Sequence, residues 1–182
     1  MRFSRLAALA VIAAAQGISG AAFAQTTLYK ATCGNSSMKQ GAANEDLSNA
    51  PGVPIECQGV TLSKLAGNHQ VVQFITPSQS VLGFGGDALD FKSDPKFITL
   101  PLKRLYLPSR TQNGSPATVD GAEGFCFLDG KDLNALKGIV CVAQVMLGQQ
   151  HVVYQVESKI QGPAQPMGSV APAAKAPPAK SR

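Results

Sequence analysis

Two histidines, His69 and His151, are the only imidazoles in the chain. Acid–base or nucleophilic catalysis would need one of them held by a carboxylate and aimed at a hydroxyl or thiol. Asp87 and Asp120 are acids that could serve. No Gly-x-Ser-x-Gly elbow supplies a serine nucleophile. His69 follows Gly67-Asn68 in a turn, and His151 sits beside a turn on the polar face of a strand. The expectation is no catalytic residue, with a hydrolytic enzyme using His69 or His151 as the alternative.

Residues 82–94 read LGFGGDALDFKSD. Gly83 and Gly85 begin a dinucleotide-type fingerprint, but the third glycine position holds Ala88 and no βαβ unit surrounds it. Asp87, Asp90 and Asp94 are hard-cation ligand types. Their spacing does not match an EF-hand loop, and Lys92 lies among them. The segment reads as a glycine-rich connection, and no metal or cofactor is expected.

Four cysteines, Cys33, Cys57, Cys126 and Cys141, include no Cys-x-x-Cys pair. A thioredoxin-type redox site is therefore disfavoured. Neither histidine stands near a cysteine pair, as a zinc site would require. Two structural disulfides are the simplest reading in an exported chain. Cys33–Cys57 and Cys126–Cys141 are favoured because both close short loops. The other two pairings stay open.

Lys103, Arg104 and Arg110 cluster around Tyr106. On a strand, Arg104 and Tyr106 point to the same side and Lys103 to the other. A cation and an aromatic on one face of an edge strand could receive a partner strand or an anionic group. Charges on an edge also guard against aggregation. These four residues are the candidate binding surface. Asn35-Ser36-Ser37 and Asn113-Gly114-Ser115 formally match glycosylation acceptors, which a bacterial chain would not use.

The elements that must position these groups follow from composition and pattern. The chain has 182 residues, 16 Lys plus Arg and 11 Asp plus Glu. That length suits about one domain. Residues 1–24 combine Arg2 and Arg5, an apolar run over 6–15, and Ala22-Phe23-Ala24. This is the layout of a signal peptide, with cleavage expected after Ala24. The run is too short to span a bilayer. The destination is the periplasm or the medium, with no transmembrane segment in the mature chain.

Residues 161–182 are rich in Pro and Ala and carry Lys175, Lys180 and Arg182 without any acid. Such a segment reads as a disordered tail. Residues 25–160 then hold eleven basic and eleven acidic residues. The surplus positive charge belongs to the ends, so nucleic acid is not the expected partner.

Between these ends the pattern is β. Strands are expected over 26–32, 55–62, 70–76, 81–84, 97–100 and 102–107. The last lies between Pro101 and Pro108 and is expected at a sheet edge. Residues 138–147 (GIVCVAQVML) read as a central strand buried on both faces. Residues 151–160 alternate, with Val152, Tyr154, Val156 and Ile160 on one face. A strand stub at 125–127 precedes a short helix or turn over 130–137, which packs Leu133 and Leu136. Residues 108–124 read as a turn-rich loop.

The expected fold is mainly β: a small antiparallel sandwich or barrel-like domain with one short helix. It lies between an N-terminal signal peptide and a disordered C-terminal tail. The expected function is an exported, non-catalytic protein that binds a protein or other envelope component, in an accessory, inhibitor or immunity-like role. Besides the hydrolase, a small apolar-ligand carrier is the further alternative.

Overall fold

The computed structural model describes residues 25–43, 45–108 and 117–167. The expected signal peptide, Arg110, Asn113 and the segment 168–182 lie outside the described residues.

The architecture is antiparallel β throughout. In chain order the strands are β1 Gln25–Cys33, β2 Ser37–Ala42, β3 Val53–Pro54, β4 Gly59–Lys64, β5 Gln70–Ile75, β6 Val81–Gly86 and β7 Phe97–Pro101. They continue with β8 Arg104–Leu107, β9 Ala117–Asp120, β10 Glu123–Asp129, β11 Gly138–Leu147, β12 Gln150–Ile160 and β13 Gln165–Pro166. One sheet is built on β1, β4, β5, β6, β8 and β9, the other on β7, β10, β11, β12 and β2. In place of the expected short helix, Leu133–Ala135 makes a single 3-10 turn. Asp132 caps it by accepting from the Asn134 N–H.

Bent strands join the two sheets into a closed ring. β1 pairs with β4 through Gln25–Lys30 and with β12 through Ala31–Cys33. At the opposite corner β7 runs on into β8, and β9 into β10. Hydrogen bonds bridge that bend: the Leu102 N–H donates to the Gly124 carbonyl and the Lys103 N–H to the Gly85 carbonyl. The pairing path therefore returns to its start, as a flattened barrel whose corners are strands that change sheet.

A bulge between β1 and β2 keeps both on β12. Cys33 faces Ser158, whereas Ser37 faces Gln155, so one extra residue is inserted. The Ser36 hydroxyl repairs the ladder there. It accepts from the Glu157 N–H at 2.8 Å and donates to the Glu157 carbonyl at 3.1 Å.

One apolar cluster fills the ring. Tyr29, Phe74, Phe84, Ile98, Leu100, Leu105, Leu128 and Ile139 are fully buried within it. The inward face of β12, with Val152, Tyr154 and Val156, is buried as its period of two requires. Tyr29 donates its hydroxyl to the Leu133 carbonyl at 2.7 Å. Burial, with Asp132 nearby, pushes that phenol up to about 12.

Two disulfides staple the ring, Cys33–Cys57 and Cys126–Cys141. The first ties the end of β1 to the segment before β4. The second joins directly opposed residues of β10 and β11. Its sequence separation of 15 corresponds to about 3 kcal/mol in the chain-entropy estimate. Disulfides are a mark of an oxidising compartment.

Four sequence expectations are corrected. β8 is an interior strand, paired to β6 on one side and β9 on the other. Its flanking prolines fall outside its four residues, so no ladder donor is lost. The edge strand is β9, inside what reads as a loop. β11 is buried on one face only: Ile139, Cys141, Ala143 and Val145 point inward, while Val142 and Met146 are exposed. Finally, pairing continues past Ile160, because Gln165 and Pro166 lie against Leu28 and Thr27.

Candidate functional site

The sequence candidates converge on the outer face of the sheet containing β5, β6 and β8. Tyr106 lies opposite Gly83, and Arg104 opposite Gly85. Those two glycines make a floor for aromatic rings. A Cβ on Gly83 would stand 2.9 Å from the Tyr106 Cβ, and one on Gly85 would stand 2.8 Å from His69 Nε2. The Gly-x-Gly pair thus allows close ring packing.

His69 Nε2 is 3.0 Å from the Tyr106 hydroxyl, and the rings meet edge to face. His69 Nδ1 is 3.9 Å from Asp87 Oδ1, too far for a hydrogen bond. Asp87 is instead paired with the Lys103 ammonium, which holds its carboxyl below the usual range. Arg104 donates from Nε to Asp120 at 2.6 Å. That contact, with Tyr106 beside it, raises the guanidinium further.

Lys103, Arg104, Tyr106, His69, Asp87 and Asp120 are therefore gathered on one surface. Both cations are already matched by acids, and exposed pairs of this kind contribute little. β8 itself is paired on both sides, to β6 and to β9, so it offers no free edge to a partner strand. Arg110 lies outside the described residues. His151 is elsewhere, on the outer face of β12 opposite Met146. It lines a polar hollow of about 390 Å³ with Lys39, Glu45 and Asp46.

The three aspartates of the glycine-rich segment do not converge. Asp90 accepts from the N–H groups of Lys92 and Ser93 and from the Ser93 hydroxyl. Asp94 accepts from the N–H groups of Lys96 and Phe97. The Lys131 ammonium donates to the carbonyls of Phe91, Asp94 and Phe97, so a lysine holds the loop together. Among the described residues no group of three His, Cys, Asp or Glu could hold a metal ion.

These turn bonds set a pH dependence. Asp90 is lowered chiefly by Ser93 and then Lys92, and Asp94 by the Lys96 and Phe97 N–H groups. A carboxyl lowered in the folded state stabilises it above the unfolded pKa of about 3.9. That contribution is lost as pH falls through the folded value. Urea midpoints should decline below about pH 4. The decline should be shallower in Asp90→Asn/Asp94→Asn, with a lower neutral plateau. An unchanged or steeper acid limb would contradict this assignment.

A cavity that sequence reasoning did not locate opens at one end of the barrel. Its volume is about 580 Å³. Leu82 and Leu107 close it from the β6–β8 side, and Met38 and Tyr154 from β2 and β12. Val53, Pro54 and Ile55 form the third wall, with Glu56 and Thr76 at hand. Tyr154 is 6% exposed, and burial raises its phenol. The alternation of β12 placed Tyr154 inward. The signal for Met38 was one apolar residue in a polar stretch.

A second hollow, of about 400 Å³, lies at the opposite end, where Gln25, Lys64, Asn68 and Gln70 make it more polar. No described helix is long and apolar enough to cross a membrane. Compared with known proteins, the chain matches no family model, no curated protein and no solved structure.

Proposed function

We propose that this chain is an exported, non-catalytic ligand-binding barrel. Its site is the end cavity walled by Met38, Val53, Ile55, Leu82, Leu107 and Tyr154, and it takes a compact, largely apolar molecule. The observation that carries the reading is the cavity itself. Its volume is within the usual range of about 300–1,000 Å³ for small-molecule sites. Its walls are mostly aliphatic, with a tyrosine to orient one polar group. Strand ladders hold Met38, Leu82, Leu107 and Tyr154 in place before the ligand arrives, which lowers the entropy cost of binding.

The signal-peptide layout of residues 1–24 and the two disulfides support export to the periplasm or the medium. The ion pairing of Lys103 and Arg104, and the interior position of β8, favour the end cavity over β8 as the binding site.

The test is titration with an apolar fluorophore, N-phenyl-1-naphthylamine. Wild-type protein should bind it saturably at one site. Met38→Trp, which fills the cavity, and Leu107→Arg, which charges its wall, should each weaken binding at least about tenfold, or 1.4 kcal/mol. Arg104→Glu should leave it unchanged. Binding that is absent, or indifferent to both cavity variants, would sink the proposal.

A further inference from the structure

The outer face of β10 and β11 carries apolar side chains that no described residue covers. Phe125 is 47% exposed, Phe127 39% and Val142 39%. Phe97 packs edge to face on Phe127 with centroids 6.2 Å apart, and Phe125 lies 6.0 Å from Phe127. Register sets Phe125 opposite Val142 and Phe127 opposite Val140. The barrel core does not need these rings, because Cys126, Leu128, Ile139 and Cys141 fill the inner face of the same strands. A contiguous aromatic strip left in water marks a contact surface.

We propose that this strip holds the chain's own C-terminal segment, residues 168–182, against the barrel. The first reason is chemical. The run from Pro163 to the C-terminus holds five prolines, three of them beyond Met167: Pro172, Pro177 and Pro178. Proline-rich chain is stiff and extended, and it docks on aromatic-lined surfaces with little further loss of freedom.

The second reason is position. The Met167 N–H donates to the Thr26 carbonyl, so the chain leaves the body at the start of β1. Gln25, Phe91 and Leu133 line that same end of the barrel. Lys131, bonded to the carbonyls of Phe91 and Phe97, ties it to the head of β7, where the strip begins.

The third reason is reach. Fifteen residues follow Met167, and they extend about 45 Å at 3.1 Å per residue. The strip is two inter-strand gaps wide, about 10 Å. Charge agrees. Glu123 and Glu157 lie on either side of the Phe125–Val142 row, with Lys159 the next cation along β12. The segment brings Lys175, Lys180 and Arg182 and no acid. A tethered segment has an effective concentration of the order of millimolar, so weak stacking is enough to seat it.

The test uses the full chain, labelled for NMR. Ring protons of Pro172, Pro177 or Pro178 should show NOEs to Phe125 or Phe127. Those NOEs should vanish in Phe125→Thr/Phe127→Thr, with the barrel's other amide shifts retained. Carbodiimide coupling of the wild-type chain should join Lys175 or Lys180 to Glu123 or Glu157 within one molecule, and Lys175→Glu/Lys180→Glu should abolish the product. Tail resonances that ignore the phenylalanine changes would overturn the assignment. So would coupling found only between chains, which would make the strip an intermolecular contact. If the phenylalanine variant does not fold, coupling in the wild type decides: no intrachain product overturns it.

Discussion

Phe84→Ala is expected to lower the unfolding free energy by about 3–5 kcal/mol. Phe84 sits on the inward face of β6 and is fully buried. Its ring meets Phe74 edge to face at 5.6 Å, with 89° between the planes. Truncation loses the transfer free energy of the ring, the aromatic pairing, and the contacts of every neighbour left facing a void. Phe74 cannot move in to close that void, because its strand β5 is held on both sides, by β4 and by β6. A domain of this size has about 5–15 kcal/mol in total, so the variant should lose about a fifth or more of it. Equilibrium urea unfolding, with the slope unchanged, checks this. A loss below about 1 kcal/mol would mean that the core repacks freely.

Gly86→Ala is expected to cost more than about 4 kcal/mol, or to prevent folding, although it adds one methyl group. Gly86 ends β6 where β7 bends into β8. A Cβ there would lie well inside contact with the Pro101 carbonyl oxygen and 2.8 Å from Leu100 Cδ1. A leucine tip can swing aside, but a backbone carbonyl at a corner cannot. The corner is also where the Lys103 N–H bonds Gly85, so yielding would open the ring. Gly121→Ala is the control. It has a φ of +77° and no neighbour within 4 Å, so only backbone strain of about 1–2 kcal/mol applies. Thermal or urea denaturation of both variants gives the comparison. Equal losses would show that the corner is not tightly packed.

The period of two along β12 was enough to name its inward residues, because one face of that strand is wet. The same logic misread β11, where Val140, Val142 and Met146 make the exposed face apolar as well. Apolar type alone cannot separate a buried second face from an exposed sticky one. β2 was illegible because SMKQGA has little apolar signal. It is a strand because β12 runs past the end of β1 and offers it an unpaired ladder. β9 was hidden by the turn residues around it, and β8 was misplaced because its prolines suggested an edge.

The site was legible as residue types but not as chemistry. His69, Asp87, Lys103, Arg104 and Tyr106 do meet, yet only the ladder of β5, β6 and β8 could show that the charges cancel in pairs. The cavity depends on five separated stretches meeting at one end of the ring. No local pattern encodes that. The disulfide pairing was the more accessible part, since two short loops close with the least rearrangement of the chain.

The decisive measurement for the barrel as a carrier is where an apolar molecule sits when it binds. Isotope-filtered NOEs between unlabelled N-phenyl-1-naphthylamine and the labelled full chain report this directly. The account predicts NOEs to the methyl groups of Met38, Leu82 and Leu107 and to the Tyr154 ring. NOEs confined to Phe125 and Phe127 on the outer strip, or none at saturating probe, would contradict it.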